Sequence, residues 1–413
     1  AYDVGSNMLN KTKTPEQRWK NFSLNDGTSC AIDPKTSSRF YVTGQNGTFF
    51  LRYENYGQTP PIELTIPGTT DWFTWFKLSP VIDNTVFFVT LSNIYRSGNK
   101  GETWQPIAGN INFPQKYFYK LYTAPNDSST LYLNDLIDGN QSRWFKTTNA
   151  NNSDPNTVTW SLFPVPKRGG DDLAVDSRNP NVLWIVHNNW RGDTAVLKFD
   201  GTSWHDLTYN LKDLHVYGLT SIVHDNLINP NGRIYAGGFR GVYYLDDGAT
   251  QWTLMDGLPN VKINQLEIDY NSGKLRASTY GRGLWEAPLP NTQCNEPVVI
   301  TGDSTLAAEA ISYCDIHVAP GAVFTITGKL HMAPGKMITI DTAAKLVLDG
   351  GTITGIRDQM WKGIEVYGRS NKSQSPPSNQ GWFKALNNAI VENAVDGVAT
   401  IEGNNYTHTG GII

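Results

Sequence analysis

Six short apolar strands, each running into a turn of Asp, Ser, Asn or Pro, recur along the first 290 residues and limit the fold more than any other feature. They are Ser29-Cys30-Ala31-Ile32-Asp33-Pro34, Phe76-Lys77-Leu78-Ser79-Pro80, Leu121-Tyr122-Thr123-Ala124-Pro125, Leu173-Ala174-Val175-Asp176, Ser221-Ile222-Val223-His224-Asp225 and Leu266-Glu267-Ile268-Asp269. Taking Asp33, Ser79, Ala124, Asp176, Asp225 and Asp269 as markers, the interval is 44 to 52 residues. A second strand follows each opening, and a third follows a Gly- or Asn-containing turn. A fourth often carries Trp, as at Trp104, Trp160, Trp204 and Trp252. Four strands in about 45 residues match one propeller blade. Strands this short, rich in Tyr, Phe, Val and Trp and separated by Gly, Asn and Pro, argue against helices. The chain is therefore predicted to be all-β, with residues 1–290 forming a β-propeller of about six visible four-stranded blades, the ring being complete or incomplete. The last unit stops at Leu289 with no fourth strand of its own, and an unassigned Trp19 precedes the first. Trp19 either closes the ring beside the last unit or ends a blade whose earlier strands lie upstream. The abrupt start without Met favours the second.

The pattern changes after Pro290. Aromatic density falls, and short apolar stretches begin at 316, 323, 329, 337, 345 and 352. Three such steps make a coil of roughly 21 residues, as expected for a right-handed parallel β-helix. Each strand alternates, so Ile, Leu and Val stack inward along the coil axis. Residues 291–315 are predicted to be a junction and 316–413 the β-helix. The last coil ends apolar at Ile412-Ile413, whereas solenoids need a polar cap, so the natural chain is expected to continue past Ile413. Cys294 and Cys314 lie at the two ends of the entrance to the coil and are expected to form a disulfide worth about 3 kcal/mol by loop entropy. Cys30 is expected to be a small buried core residue.

The run Ser97-Gly98-Asn99-Lys100-Gly101-Glu102-Thr103-Trp104 is one letter from the Asp-box S-x-D-x-G-x-T-W, a hairpin turn of many propellers. With Cys30-Ala31-Ile32-Asp33-Pro34 and Gly281-Arg282-Gly283-Leu284-Trp285, it makes residues 17–290 resemble the sortilin/Vps10-type (BNR-like) propellers and their bacterial relatives, including xyloglucan-cleaving glycoside hydrolases. That resemblance implies a fold and little about activity, because such propellers include enzymes, receptors and assembly factors. The runs Gly350-Gly351-Thr352-Ile353-Thr354 and Met360-Trp361-Lys362-Gly363-Ile364-Glu365-Val366 resemble the β-helix regions of large secreted Bacteroidota proteins. This implies an exported protein, at the cell surface or outside the cell, carried by secretion machinery such as the type IX system and joined to further domains of the same polypeptide.

Charged residues make up only 17% of the 413, with a formal net charge of −4. That argues against a nucleic-acid partner, which needs clustered Lys and Arg. No apolar run approaches the roughly 20 residues of a membrane span. No Cys/His cluster has metal-ligand spacing, no P-loop is present, and no cofactor is implied.

Chemistry is sought where propellers usually place it, in the loops leading into the first strand of each blade. Those loops read Asn25-Asp26-Gly27, Thr70-Asp71-Trp72, Gly170-Asp171-Asp172, His215-Val216-Tyr217 and Lys262-Ile263-Asn264. Glycoside hydrolysis needs two carboxylates flanking the bond, one as acid and one as base or nucleophile. Asp26, Asp71 and Asp171 are the candidates, and Asp before Gly or at a strand head more often caps a turn. Trp72, Trp75, Trp190 and Tyr280 are the candidate flat faces for a sugar. Packing between blades is the commoner fate of Trp72 and Trp75, and Trp190 sits in a polar turn. The sequence thus favours a non-catalytic adhesion or carbohydrate-binding module for a polysaccharide or surface protein, ahead of a glucan hydrolase or a ligand-free structural cargo protein.

Overall fold

The computed structural model describes residues 7–9, 19–22, 26–109, 111, 119–137, 141–166, 170–188, 195–216, 218–290, 292, 294, 296–356, 359–400 and 411–413. The chain divides into two compact units, Ala1–Ile222 and Val223–Ile413. It is all-β, with six blade sheets of a β-propeller followed by stacked parallel sheets.

The first unit holds four blades. Blade one is Gly27–Ile32, Phe40–Gly44, Phe50–Tyr53 and Ile62–Glu63; blade two is Phe76–Leu78, Val86–Val89, Ile94–Ser97 and Gln105–Pro106. Blade three is Tyr119–Ala124, Asp127–Ile137, Gln141–Thr147 and Ser161–Phe163; blade four is Asp172–Val175, Leu183–Val186, Val196–Phe199 and Trp204–Asp206. Each is an antiparallel meander in chain order, so short turns suffice. Ahead of them, Asn7–Leu9 pairs with Trp19–Asn21 in a separate two-stranded sheet.

Strands buried on both faces, such as Phe40–Gly44, Val86–Val89 and Leu183–Val186, send side chains into the gaps on either side of their blade. Tyr41, Phe50, Phe76 and Phe88 fill the gap between blades one and two. Phe87, Ile94, Leu121, Leu131 and Trp160 fill the next, and Tyr132, Trp144, Leu173 and Ile185 the third. Cys30 corrects the sequence expectation, for it is exposed. The pleat explains this: Ala31 packs toward the core of blades one and two, while Cys30 and Ile32 point to the opposite face.

The run 97–104 forms a tight turn held by side chains. Asn99 Oδ1 accepts the Thr103 N–H at 2.9 Å, and Ser97 Oγ accepts the Gly101 N–H at 2.9 Å. Gly101 takes φ +87°, a conformation costly for any residue with a Cβ. Trp104 then packs against Phe50 and Phe88, and its indole N–H reaches the Thr65 carbonyl of blade one at 2.8 Å. The same clamp recurs from Trp160 to the Ile107 carbonyl (2.8 Å) and from Trp204 to the Pro164 carbonyl (3.0 Å).

The second unit holds blade five (Ser221–Asp225, whose first two residues belong to the first unit, then Arg233–Gly238, Gly241–Asp246 and Thr253–Leu254) and blade six (Ile263–Asp269, Lys274–Thr279 and Gly283–Pro288). Blade six has three strands among the described residues.

Parallel pairing begins at Val298–Ile300 over Ile316–Val318, inside the stretch read from sequence as a junction. Two of its opening strands, Ser304–Leu306 and Ala310–Ser312, carry Ser and Thr and so do not read as apolar steps. Three parallel sheets follow one another around the coil. Ile316 lies over Ile338 and Ile338 over Ile364, while Phe324 lies over Leu346 and Leu346 over Phe383. These stacked residues form one continuous core with the fully buried Trp361. Cys294 and Cys314 are joined as a disulfide with Cα atoms 5.4 Å apart. Tyr313, Ala333 and Ile356 of the coil share a buried cluster with Leu266, Leu275 and Leu289 of blade six. The Tyr313 hydroxyl donates to the Tyr270 carbonyl, and the Ile311 N–H donates to the Leu227 carbonyl at 3.1 Å.

Candidate ligand-binding face

The loop ahead of the inner strand of blade two is stapled down by its own backbone. The Asn46 N–H of blade one donates to the Trp72 carbonyl at 3.1 Å, the Leu91 N–H to the Thr69 carbonyl at 2.8 Å, and the Val89 N–H to the Trp75 carbonyl at 3.0 Å. The buried Thr74 hydroxyl adds a bond to the Gly44 carbonyl at 2.9 Å and accepts the Gly47 N–H at 3.0 Å. A short loop with this many anchors has a fixed backbone path. Trp72 is 41% exposed. Trp75 is half-buried against the core of blades two and three, with Phe73 beside it at 6.1 Å between ring centroids.

Lys120, on the inner strand of blade three, connects this aromatic loop to blade four. Its ammonium lies 5.9 Å from the centre of the Trp75 ring and donates to the Asp171 carbonyl at 2.5 Å. Cation–π contact of this kind contributes about 0.5–1 kcal/mol at partly exposed sites. The Asp171 carboxylate accepts the Asn188 N–H at 2.6 Å. Burial pushes the Asp171 pKa up, and the Asp172 charge adds to this; the Asn188 N–H and the Lys120 ammonium oppose it. Asp172 accepts the Ser221 hydroxyl at 2.9 Å and the Ile222 N–H at 3.0 Å. Beneath them Tyr122 is driven well above its ordinary pKa, first by burial and then by Asp172. Asn134 donates to the Gly170 carbonyl at 2.8 Å and so fixes the turn that carries Asp171.

Of the three candidate acids, Asp171 is tied to the aromatic loop through its carbonyl, which accepts the Lys120 ammonium. Asp71 accepts the N–H of its neighbour Trp72 at 2.6 Å, a local contact within the loop. Asp26 lies on blade one, where its carbonyl accepts the Gln45 N–H at 3.0 Å. Trp190 lies outside the described residues. Tyr280 belongs to the second unit and is 71% exposed. Among the described residues no group of His, Cys, Asp and Glu could hold a metal ion, and no helix is long and apolar enough to cross a membrane. Sequence reasoning missed Lys120, because that residue lies inside an alternating inner strand rather than in a polar loop.

No protein-family model matches the sequence. No curated protein matches it either. Among solved structures, the chain is similar to a GH74 xyloglucanase from Xanthomonas campestris at 14% identity and a TM-score of 0.44, over 64% of this chain and 37% of that one. It is similar to a GH74 enzyme from Niastella koreensis at 17% identity and a TM-score of 0.39, over 66% and 46%. It is also similar to the extracellular domain assigned to a one component system of B. thetaiotaomicron at 13% identity and a TM-score of 0.48, over 73% and 42%. The chain thus spans less than half the length of each of these three proteins, and the likeness is one of fold.

Proposed function

We propose that the chain is a non-catalytic binding module of an exported protein. The loops ahead of the inner strands of the first unit are its platform for a polysaccharide or another surface protein, and the β-helix is its stalk. The observation that carries this reading is Trp72, a large exposed ring on a loop tied by three backbone hydrogen bonds. A flat apolar face held in place before the ligand arrives binds without an ordering cost. The test is a glycan and surface-protein array probed with the whole chain and with Trp72→Ala. The reading expects at least one ligand that the variant loses roughly tenfold, consistent with about 1.4 kcal/mol for a stacked aromatic. Ligands bound equally by both proteins would refute the platform.

One observation favours a hydrolase instead. Asp171 holds its proton more tightly than an ordinary aspartate, as a general acid must. That reading requires release of reducing ends from a β-linked glucan, abolished in Asp171→Asn.

A further inference from the structure

We infer a second ligand site on the second unit, where the hairpin tips of blades five and six present cations and open aromatic rings to a carboxylated polysaccharide. The inference rests on the reading of the propeller as a binding platform and names a ligand class for it.

The tip of blade five is Phe239-Arg240, the two residues between the paired Gly238 and Gly241. The tip of blade six is Tyr280-Gly281-Arg282, between the paired Thr279 and Gly283. Gly281 and Gly283 take φ +76° and +75° with open space where a Cβ would stand. The backbone there needs glycine for its conformation and not for want of room. The result is a narrow tip that pushes Tyr280 and Arg282 outward, both exposed.

Lys262 ties the two tips together. Its carbonyl accepts the Tyr280 N–H at 2.9 Å. Its ammonium lies 5.0 Å from the centre of the Phe239 ring and 5.8 Å from that of Tyr280. Trp285 folds its indole back to the same tip, donating to the Arg282 carbonyl at 2.9 Å, and stays 41% exposed.

The charge balance is what points to an anionic ligand. Arg233, Lys274 and Arg276 in the same two blades each pair with a carboxylate. Arg240, Lys262 and Arg282 form no ion pair among the described residues. Three uncompensated cations therefore share one rim of a chain whose net charge is −4. Cations left beside exposed rings keep both halves of a uronate's surface satisfied. The ring takes the apolar C–H face of the sugar, and the ammonium or guanidinium takes its carboxylate. Arg240 and Arg282 sit on separate tips with Lys262 between them, which suits a repeating anionic chain laid across them better than a single acidic group.

The test is affinity electrophoresis of the whole chain through gels containing polygalacturonate, alginate, or neutral xyloglucan. Proteins compared are the wild type, Lys262→Ala, Arg282→Ala, the triple variant with Arg240→Ala, Tyr280→Ala and Tyr280→Phe. Arg240, Tyr280 and Arg282 lie at exposed tips and Lys262 is half-buried between them; unchanged melting temperatures confirm intact folding. Expected is retention by at least one uronate polymer, weakened about 2–5-fold by each single cation change and ~10-fold or more by the triple. Tyr280→Ala weakens it several-fold while Tyr280→Phe does not. Raising salt from 0.05 to about 0.5 M weakens it further. Retention in uronate gels that is indifferent to salt and to the variants overturns this site. So does binding confined to neutral xyloglucan, which leaves the platform reading standing. Retention by nothing, with an empty array, overturns both readings.

Discussion

The indole clamp between outer strands makes an unequal set of predictions from one repeated contact. Trp160 is buried and its N–H reaches the Ile107 carbonyl at 2.8 Å within a fully apolar cluster. Trp104 makes the matching bond to Thr65 at 2.8 Å, but that bond is open to solvent. Replacing Trp by Phe removes the donor and keeps most of the ring. At Trp160 the carbonyl left behind has no water to turn to, so the loss is the hydrogen bond plus the desolvation of an unpaired acceptor, about 1–3 kcal/mol. At Trp104 water replaces the indole, and the loss is about 0.5–1 kcal/mol. Trp160→Ala also empties a core site and costs about 3–5 kcal/mol. Urea titrations followed by far-ultraviolet circular dichroism give the order directly, provided the slope m is unchanged. A Trp104→Phe loss equal to or larger than that of Trp160→Phe would refute the claim that burial sets the value of the clamp.

Three further outcomes follow from the same geometry. Asp171 has a raised folded-state pKa, mainly from burial, so the native state holds its proton above the ordinary aspartate range near ~3.9. Between that range and the folded value stability falls as pH rises, and the penalty is complete above it; Asp171→Asn removes this part of the pH profile and raises stability at neutral pH, seen as a difference between the two urea-midpoint curves from pH 3.5 to about 7. Reducing the Cys294–Cys314 bond, or replacing both with Ser, lowers the stability of the second unit by about 3 kcal/mol, read as an earlier transition in differential scanning calorimetry. Leu346→Ala, in the middle of the stack between Phe324 and Phe383, costs about 2–5 kcal/mol and exposes the β-helix to limited proteolysis before the first unit is cut.

The blade repeat was legible because the turn residues at most of its markers perform the same local task. Asp33 accepts the N–H groups of Lys35 and Thr36, Ser79 those of Val81 and Ile82, Asp176 those of Arg178 and Asn179, and Asp225 those of Leu227 and Ile228. Ala124 has no side chain for this. There the pairing register shifts between Thr123 and Ala124, and Asp127 accepts the Ser129 N–H instead. A second turn of the 97–104 kind stayed hidden in blade three. Asn149 Oδ1 accepts the Thr159 N–H at 3.0 Å and Thr147 Oγ accepts the Asn149 N–H at 3.3 Å, but the intervening loop stretches the spacing beyond recognition. Coil stacking was legible from alternation alone, as in His317, which faces outward between the buried Ile316 and Val318. The candidate ligand face was legible only in part: Trp72, Trp75 and Asp171 were read from their loops, but not which residues of different blades meet. Lys120 reaches Trp75 on one side and Asp171 on the other, and neither relation has a signature in spacing. Cys30 misled for a related reason: strand position predicts burial only when the facing side is known.

The central claim is that this propeller holds a polysaccharide or surface protein without cutting it. The direct test is to immobilise the polysaccharide that the array identifies, load the whole chain, and follow both its retention and the polymer's length over many hours. The account predicts stable retention, lost in Trp72→Ala, with polymer length unchanged. Progressive shortening that stops in Asp171→Asn would contradict it.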